Sequence, residues 1–210
     1  MKTLLSTLLI GGFAATTANA AIISQDGSLY TSITGSPGFN ANLEVSNLFN
    51  QNYTVGFNPG VGDAGGAWAA ANGTAPDGPR LEFELDQVYI ITDLVYGQRQ
   101  FASQDRDKNQ TARIWASSTT AFTLATPAGA PDATVNLNFT TAGPAFTNYA
   151  LSSAITGRYF YIEFDEAPNG GNNDPTGGNE LRFQGDAVPE PSSAALLGLG
   201  GLALIMRRRK

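Results

Sequence analysis

The sequence predicts an all-β fold, a sandwich or jelly roll of antiparallel strands, and three observations carry that reading. Arg80-Leu81-Glu82-Phe83-Glu84-Leu85-Asp86 alternates apolar and charged side chains with a period of two, the pattern of a half-buried strand. Residues 88–96 form a mainly apolar, β-branched run, interrupted at Thr92-Asp93, which suits a more central strand. Between the two ends of the chain no segment keeps a 3.6-residue stripe. Gly, Pro, Asn and Asp clusters punctuate the text instead, at Asn58-Pro59-Gly60, at Ala75-Pro76-Asp77-Gly78-Pro79 and over residues 126–132. Many short strands with turn signals between them mark a two-layer β architecture.

Taken in order, the chain opens on a predicted signal peptide over residues 1–20. Met1 and Lys2 supply a small positive n-region, residues 4–13 an apolar h-region, and Ala18-Asn19-Ala20 a small-x-small site with cleavage expected after Ala20. Beyond Ala21 the text turns polar and strand-like at once. Further strands are expected at 111–116, 135–139 (where Asn136 and Asn138 alternate with apolar residues), 147–151, 158–164 and 180–184. The Gly/Asn-rich stretch 169–179 is too short to link two domains, and no internal repeat is present. Residues 21–187 therefore predict one domain with one core.

Composition removes several function classes. There is no cysteine, so in an exported chain no disulfide staples the fold and an apolar core must hold it. There is no histidine either, which excludes Ser-His-Asp and Cys-His catalysis and the usual zinc, copper and non-haem iron sites. Oxygen ligands remain, and with them calcium or magnesium chemistry. Residues 21–187 hold 7 Lys/Arg against 17 Asp/Glu, a net charge of −10. Such a surface repels nucleic acid and anionic lipid, both of which need clustered cations, so no nucleic-acid partner is expected.

Residues 188–210 read Val188-Pro189-Glu190-Pro191-Ser192-Ser193, then a small and apolar run over 194–206, then Arg207-Arg208-Arg209-Lys210. The prolines stop any preceding strand from running on. The apolar run suits a short transmembrane helix, and the terminal cations hold its end in the cytoplasm while everything upstream stays outside. This order resembles the PEP-CTERM sorting signal of exported bacterial proteins. The resemblance implies transient inner-membrane insertion and processing near Pro-Glu-Pro by an exosortase-type enzyme in a Gram-negative-type host, after signal peptidase has acted at the other end. An ordinary single-span anchor is the alternative. Residues 192–206 would span only about 22 Å as a helix against a hydrocarbon core of about 30 Å, and Gly198, Gly200 and Gly201 lower helix propensity. A short, Gly-rich span favours a temporary holding point.

Within 21–186, five segments fall in the order of a discoidin (F5/8 type C) or galactose-binding-like domain: Asn47-Leu48-Phe49-Asn50, Trp68, Leu81-Glu82-Phe83-Glu84-Leu85, Arg158-Tyr159-Phe160-Tyr161-Ile162 and Asn179-Glu180-Leu181-Arg182-Phe183-Gln184-Gly185. The resemblance implies a single jelly-roll β-sandwich of about eight antiparallel strands, with non-catalytic binding of sugars or surface molecules through loops at one end. It also implies a structural calcium. Glu180 matches the family's acidic ligand at the last strand, Asn50 stands where an Asp is usual, Asp63 has the spacing to Trp68 of the second acid, and Gly66 replaces a Thr ligand. So few carboxylates make a weak site. The alternative for Glu180 is an ion pair with a cation such as Arg158, and for Asp63 a turn.

Sugar binding calls for an exposed aromatic face beside planar hydrogen-bonding side chains. Tyr53 and Phe57 beside Asn52 and Asn58 offer this. So does the preferred group, Arg99, Gln100, Phe101, Asp105 and Arg106, whose bland alternative is a solvated hairpin tip. Trp68 and Trp115 read as core. Catalysis without histidine would need two carboxylates in unlike surroundings. The alternation assigns Glu82 and Glu84 together to solvent, and Asp105 and Asp107 share a loop with counter-charges, so the chain reads as a binding protein rather than an enzyme. The expected partner is an extracellular polysaccharide or surface glycan. A structural or adhesive matrix protein with no defined sugar site is the second reading.

Overall fold

The computed structural model describes residues 21–23, 29–36, 44–49, 68–69, 79–98, 111–137, 146–165, 177–189, 198–201 and 206–207. The strands are β1 (Ala21–Ile23), β2 (Tyr30–Gly35), β3 (Trp68–Ala69), β4 (Arg80–Gln98), β5 (Thr111–Ser117), β6 (Ala133–Asn136), β7 (Phe146–Phe164) and β8 (Gly177–Ala187), with one 3₁₀ turn at Val45–Phe49. All eight strands join one hydrogen-bonded sheet in antiparallel pairs.

Two strands make this sheet a sandwich. β4 and β7 are each 19 residues long and change neighbours halfway. Residues 80–85 of β4 pair with β2 and with residues 159–163 of β7, which in turn pair with β5, and β5 pairs with β6. Residues 89–98 of β4 pair instead with β8 and with residues 146–157 of β7, while β1 and β3 add to the far edge of β8. The register shifts between Glu84 and Tyr89 and again between Ile91 and Asp93. Such irregularities bend a strand and let it pass from one layer to the other.

The two layers meet through aromatic rings. Phe83 and Phe160 of the first layer lie 5.5 and 4.9 Å from Phe183 of the second, and Tyr96 lies 5.3 Å from Phe164. Leu81, Leu85, Ile91, Leu94, Ile114, Ile162 and Leu181 complete a core with no exposure at all. Since no disulfide is present, this burial of apolar area is the main favourable term in folding. The 3₁₀ turn closes one flank with Leu48 and Phe49, the latter 4.5 Å from the Tyr30 ring. Packing is tight enough to fix residue type at Gly178, where a Cβ would run into the Tyr96 hydroxyl that donates to the Gly177 carbonyl at 3.0 Å.

The register also defines two ends. At one, Ala21 faces Gly185, Tyr89 faces Ala187, and the Val188 amide donates to the Val88 carbonyl at 2.9 Å. At the other, Gln98 faces Gly178, Gly97 faces Phe146, Gly35 faces Leu81 and Ala112 faces Phe164. We call these the tail end and the loop end.

The antiparallel sandwich expected from the sequence is present. The expected strands 80–86 and 88–96 are one strand, as are 147–151 and 158–164, because the chain bends at these points without a turn. β1, β2 and β3 are additional.

Candidate functional site

Alternation sends Leu81, Phe83, Phe160 and Ile162 inward, so Glu82, Glu84, Tyr159, Tyr161 and Glu163 stand on the outer face of the first layer. That face is not bare. Residues 118–132 run back across it after β5, and Tyr161 (0% exposed), Trp115 (6%) and Glu163 (5%) are buried beneath. Trp115 packs edge-on to Tyr161 at 5.5 Å and donates from Nε1 to the Gly129 carbonyl at 3.4 Å; Phe122 lies 6.2 Å from Tyr161. Gly129 has φ of 97°, which favours glycine. Glu163 gathers the polar groups: Arg113 Nη2 at 2.7 Å on Oε1, and Thr126 Oγ1 at 2.8 Å and Tyr161 Oη at 3.3 Å on Oε2. Arg113 also reaches Asp165 at 2.5 Å. Asp132 Oδ2 accepts the Ala116 amide at 2.8 Å and pins the segment's end. Trp115 is thus buried as expected, but in a small outer cluster rather than in the core between the layers.

Beside this cluster, Ser32, Glu82, Glu84, Ala121, Phe122 and Tyr159 line a groove. Glu84 pairs with Arg158 Nη2 at 2.6 Å, and that guanidinium stands 5.6 Å from the Tyr159 ring centroid, a cation–π distance. Glu82 Oε2 is shut off from solvent and has no hydrogen-bond partner among the described residues. Burial raises its pKa above the ordinary carboxylate range. The two glutamates expected to share a solvated face therefore sit in unlike surroundings, one ion-paired and one partly desolvated. Alternation alone places a residue on a face; it says nothing of a segment that later covers that face.

Glu180 opens the last strand's core pairings, opposite Gly97, and is 1% exposed. Its Oε1 takes Arg182 Nε at 3.0 Å, whereas Arg158 goes to Glu84. The ion pair expected as the alternative role for Glu180 is real, with Arg182 as partner. A calcium ion would share this carboxylate with a guanidinium, which lowers its pull on a second cation. Among the described residues no three acidic side chains gather as a metal cluster. Asn50 and Asp63 lie outside the described residues.

Arg99, Gln100, Phe101, Asp105 and Arg106 also lie outside the described residues, as do Asn52, Tyr53, Phe57, Asn58, Asp107 and the side chain of Trp68. The residues that flank the preferred sugar group, Gln98 and Thr111, both stand at the loop end. At the tail end, Val188 is the last residue bonded to the sheet, and Pro189, exposed and without an N–H, leaves it. Ala18, Ala20, Glu190, Pro191, Arg208, Arg209 and Lys210 lie outside the described residues. Gly198–Gly201 and Met206–Arg207 are helical and exposed. Among the described residues no helix is long and apolar enough to cross a membrane.

Comparison with known proteins joins both observations. Residues 187–210 match the PEP-CTERM protein-sorting motif. The sandwich is similar to the C-terminal domain of a chitobiase from Bacteroides fragilis, with a TM-score of 0.53 and 15% identity over 80% of this chain and 99% of that one. It is also similar to the family 32 carbohydrate-binding module of Clostridium perfringens NanJ in complex with galactose, with a TM-score of 0.51 and 14% identity over 78% of this chain and 98% of that one. A fucolectin from striped bass (Morone saxatilis) serum gives a TM-score of 0.53 and 14% identity over 79% of this chain, which spans 50% of that lectin. No curated protein matches the sequence. At these identities the likeness shows the fold alone, an antiparallel β-sandwich similar to that of family 32 carbohydrate-binding modules. The chain couples that sandwich to a PEP-CTERM sorting motif, which marks an exported protein processed at the cell envelope.

Proposed function

We propose that this chain is an exported carbohydrate-binding protein without catalytic activity, trimmed at both ends and acting at the cell surface or in an extracellular polysaccharide matrix. Residues 1–20 are the signal peptide, 21–187 the binding domain, and 188–210 the segment that an exosortase-type enzyme recognises while it sits in the inner membrane of a Gram-negative-type bacterium. The observation that carries this is the coupling itself: a sorting motif begins where the last strand ends, on a sandwich similar in fold to a module solved with galactose. The sugar site is assigned to Arg99, Gln100, Phe101, Asp105 and Arg106, supported by Gln98 and Thr111 at the loop end. Binding of residues 21–187 to a glycan array and to bacterial exopolysaccharides tests it. Saturable binding is expected, reduced at least tenfold by Phe101→Ala or Arg99→Ala. No binding to any glycan would instead favour a structural or adhesive matrix protein, a reading supported by the net charge of −10.

A weak structural calcium on Asn50, Asp63 and Glu180 belongs to the same proposal. An ion that binds only the folded domain raises its melting point, by an amount that grows with the logarithm of the free ion concentration above Kd. Millimolar calcium should raise Tm by a few degrees (about 1 kcal/mol of stabilisation) and chelator should reverse it. An unchanged Tm would remove the calcium and leave Glu180 with a structural role that includes its Arg182 pairing.

A further inference from the structure

Among the described residues the last hydrogen bond between the sandwich and the sorting segment runs from the Val188 amide to the Val88 carbonyl at 2.9 Å. The first residue past the signal-peptide site, Ala21, is already in β1 and faces Gly185. β1 and β8 are antiparallel neighbours, so the chain enters and leaves the sandwich side by side, on strands about 4.8 Å apart. Both exits are at the tail end. The strands that flank the sugar-site segment, by contrast, stop at Gln98 and start at Thr111, at the loop end.

The lengths decide what this does. From Val188 to Ala194, where the apolar run begins, is six residues, which reach at most about 20 Å. Along β8 from Gly178 to Ala187 is nine residues, about 30 Å of strand. A tether of that length excludes the inverted pose, loop end down and tail end up, because it would have to run back along the whole sandwich first. The tail end presents Asp86 and Asp186, which repel anionic headgroups, beside one exposed apolar side chain, Ile90.

We infer that the uncut protein is held with its tail end toward the membrane and its loop end away from it, since Ala21 and Val188 leave the sandwich at the same end. This rests on the sorting reading given above and adds an orientation to it. The folded domain needs no rearrangement for both segments to be engaged together. The loop end, where Gln98 and Thr111 flank the proposed sugar site, is turned away from the lipid before either cut, so the protein can take hold of matrix while still tethered.

The chain has no cysteine, so single labels can be placed without background. The full chain is inserted in vesicles of phosphatidylethanolamine and phosphatidylglycerol containing a headgroup nitroxide. A fluorophore is attached at Asp186→Cys, at the tail end, or at Asn136→Cys, exposed at the loop end opposite Thr111. The label at 186 should be quenched at least threefold more than the label at 136. Equal quenching, or stronger quenching at 136, in protein that floats with the vesicles would overturn the orientation while leaving the sorting reading intact. Failure of the full chain to float with vesicles would remove the sorting reading, and this inference with it.

Discussion

Glu82 shows how much one position depends on what lies over it. Its neighbours in the alternation, Leu81 and Phe83, are buried as the period-two pattern demands. Its own carboxylate would be ordinary if the outer face were open, but Oε2 is closed off and burial raises the pKa. A carboxyl whose folded pKa lies above its unfolded value binds the proton better when folded. The penalty for its charged form is thus complete above the folded pKa and vanishes as pH falls below the unfolded value, near ~4.3. Glu82→Gln is therefore expected to raise Tm by roughly 2 °C at pH 7 and to change it little at pH 4. A mutant less stable than the parent at pH 7 would show that the carboxylate is paired in its charged form. The same substitution addresses catalysis, since any glycosidase turnover lost in Glu82→Gln would reverse the assignment as a binding protein.

At the scale of elements, the segment 118–132 acts as a strap across the first layer. Its hold is polar at Glu163, where Thr126 from the segment, Tyr161 and Arg113 converge on one buried carboxylate. Removing that carboxylate takes a shared acceptor from three donors, although Arg113 retains Asp165 and Tyr161 retains Thr126 and Arg80. Glu163→Ala should cost about 2 kcal/mol, since Arg113 is one-third exposed and recovers part of its solvation, while Glu163→Gln, which keeps an acceptor, should cost less. Denaturant melts measure both, and a loss under about 0.5 kcal/mol for the alanine variant would mean the strap is held at Trp115, Phe122 and Asp132 rather than at Glu163. The strands beneath were legible because β4, β5 and the end of β7 alternate cleanly. The corners were not: Asp86-Gln87-Val88 and residues 152–157 look like breaks between strands, yet register shifts carry the chain through without one. β2 was missed because Thr31, Ser32 and Thr34 give its Tyr30–Gly35 text only two apolar side chains to show a period. The strap carries no period at all, so nothing in its text announces that it covers a glutamate.

For the whole molecule, sequence alone reached the fold and the C-terminal sorting motif, because both rest on patterns that extend over many residues. The sandwich follows from alternation and from five short segments in order, and the tail from position, apolarity and terminal charge. The candidate site was less legible. Glu180 could be matched to an acidic ligand by position, but its pairing with Arg182 depends on two residues of one face of β8, a contact that only the folded strand makes plain. The proposed sugar-site residues were chosen by type and by their position between strands in the sequence, and the fold adds that their flanks, Gln98 and Thr111, stand at the end opposite Ala21 and Val188. One physical requirement underlies every functional statement: the acidic domain must reach the outside and lose its two hydrophobic ends there. Intact mass measurement on protein recovered from the medium or cell surface of the producing bacterium tests it directly. The account predicts a species that begins at Ala21 and ends near Pro189-Glu190-Pro191, and a full-length chain from Met1 to Lys210 found only in the cytoplasm would contradict it.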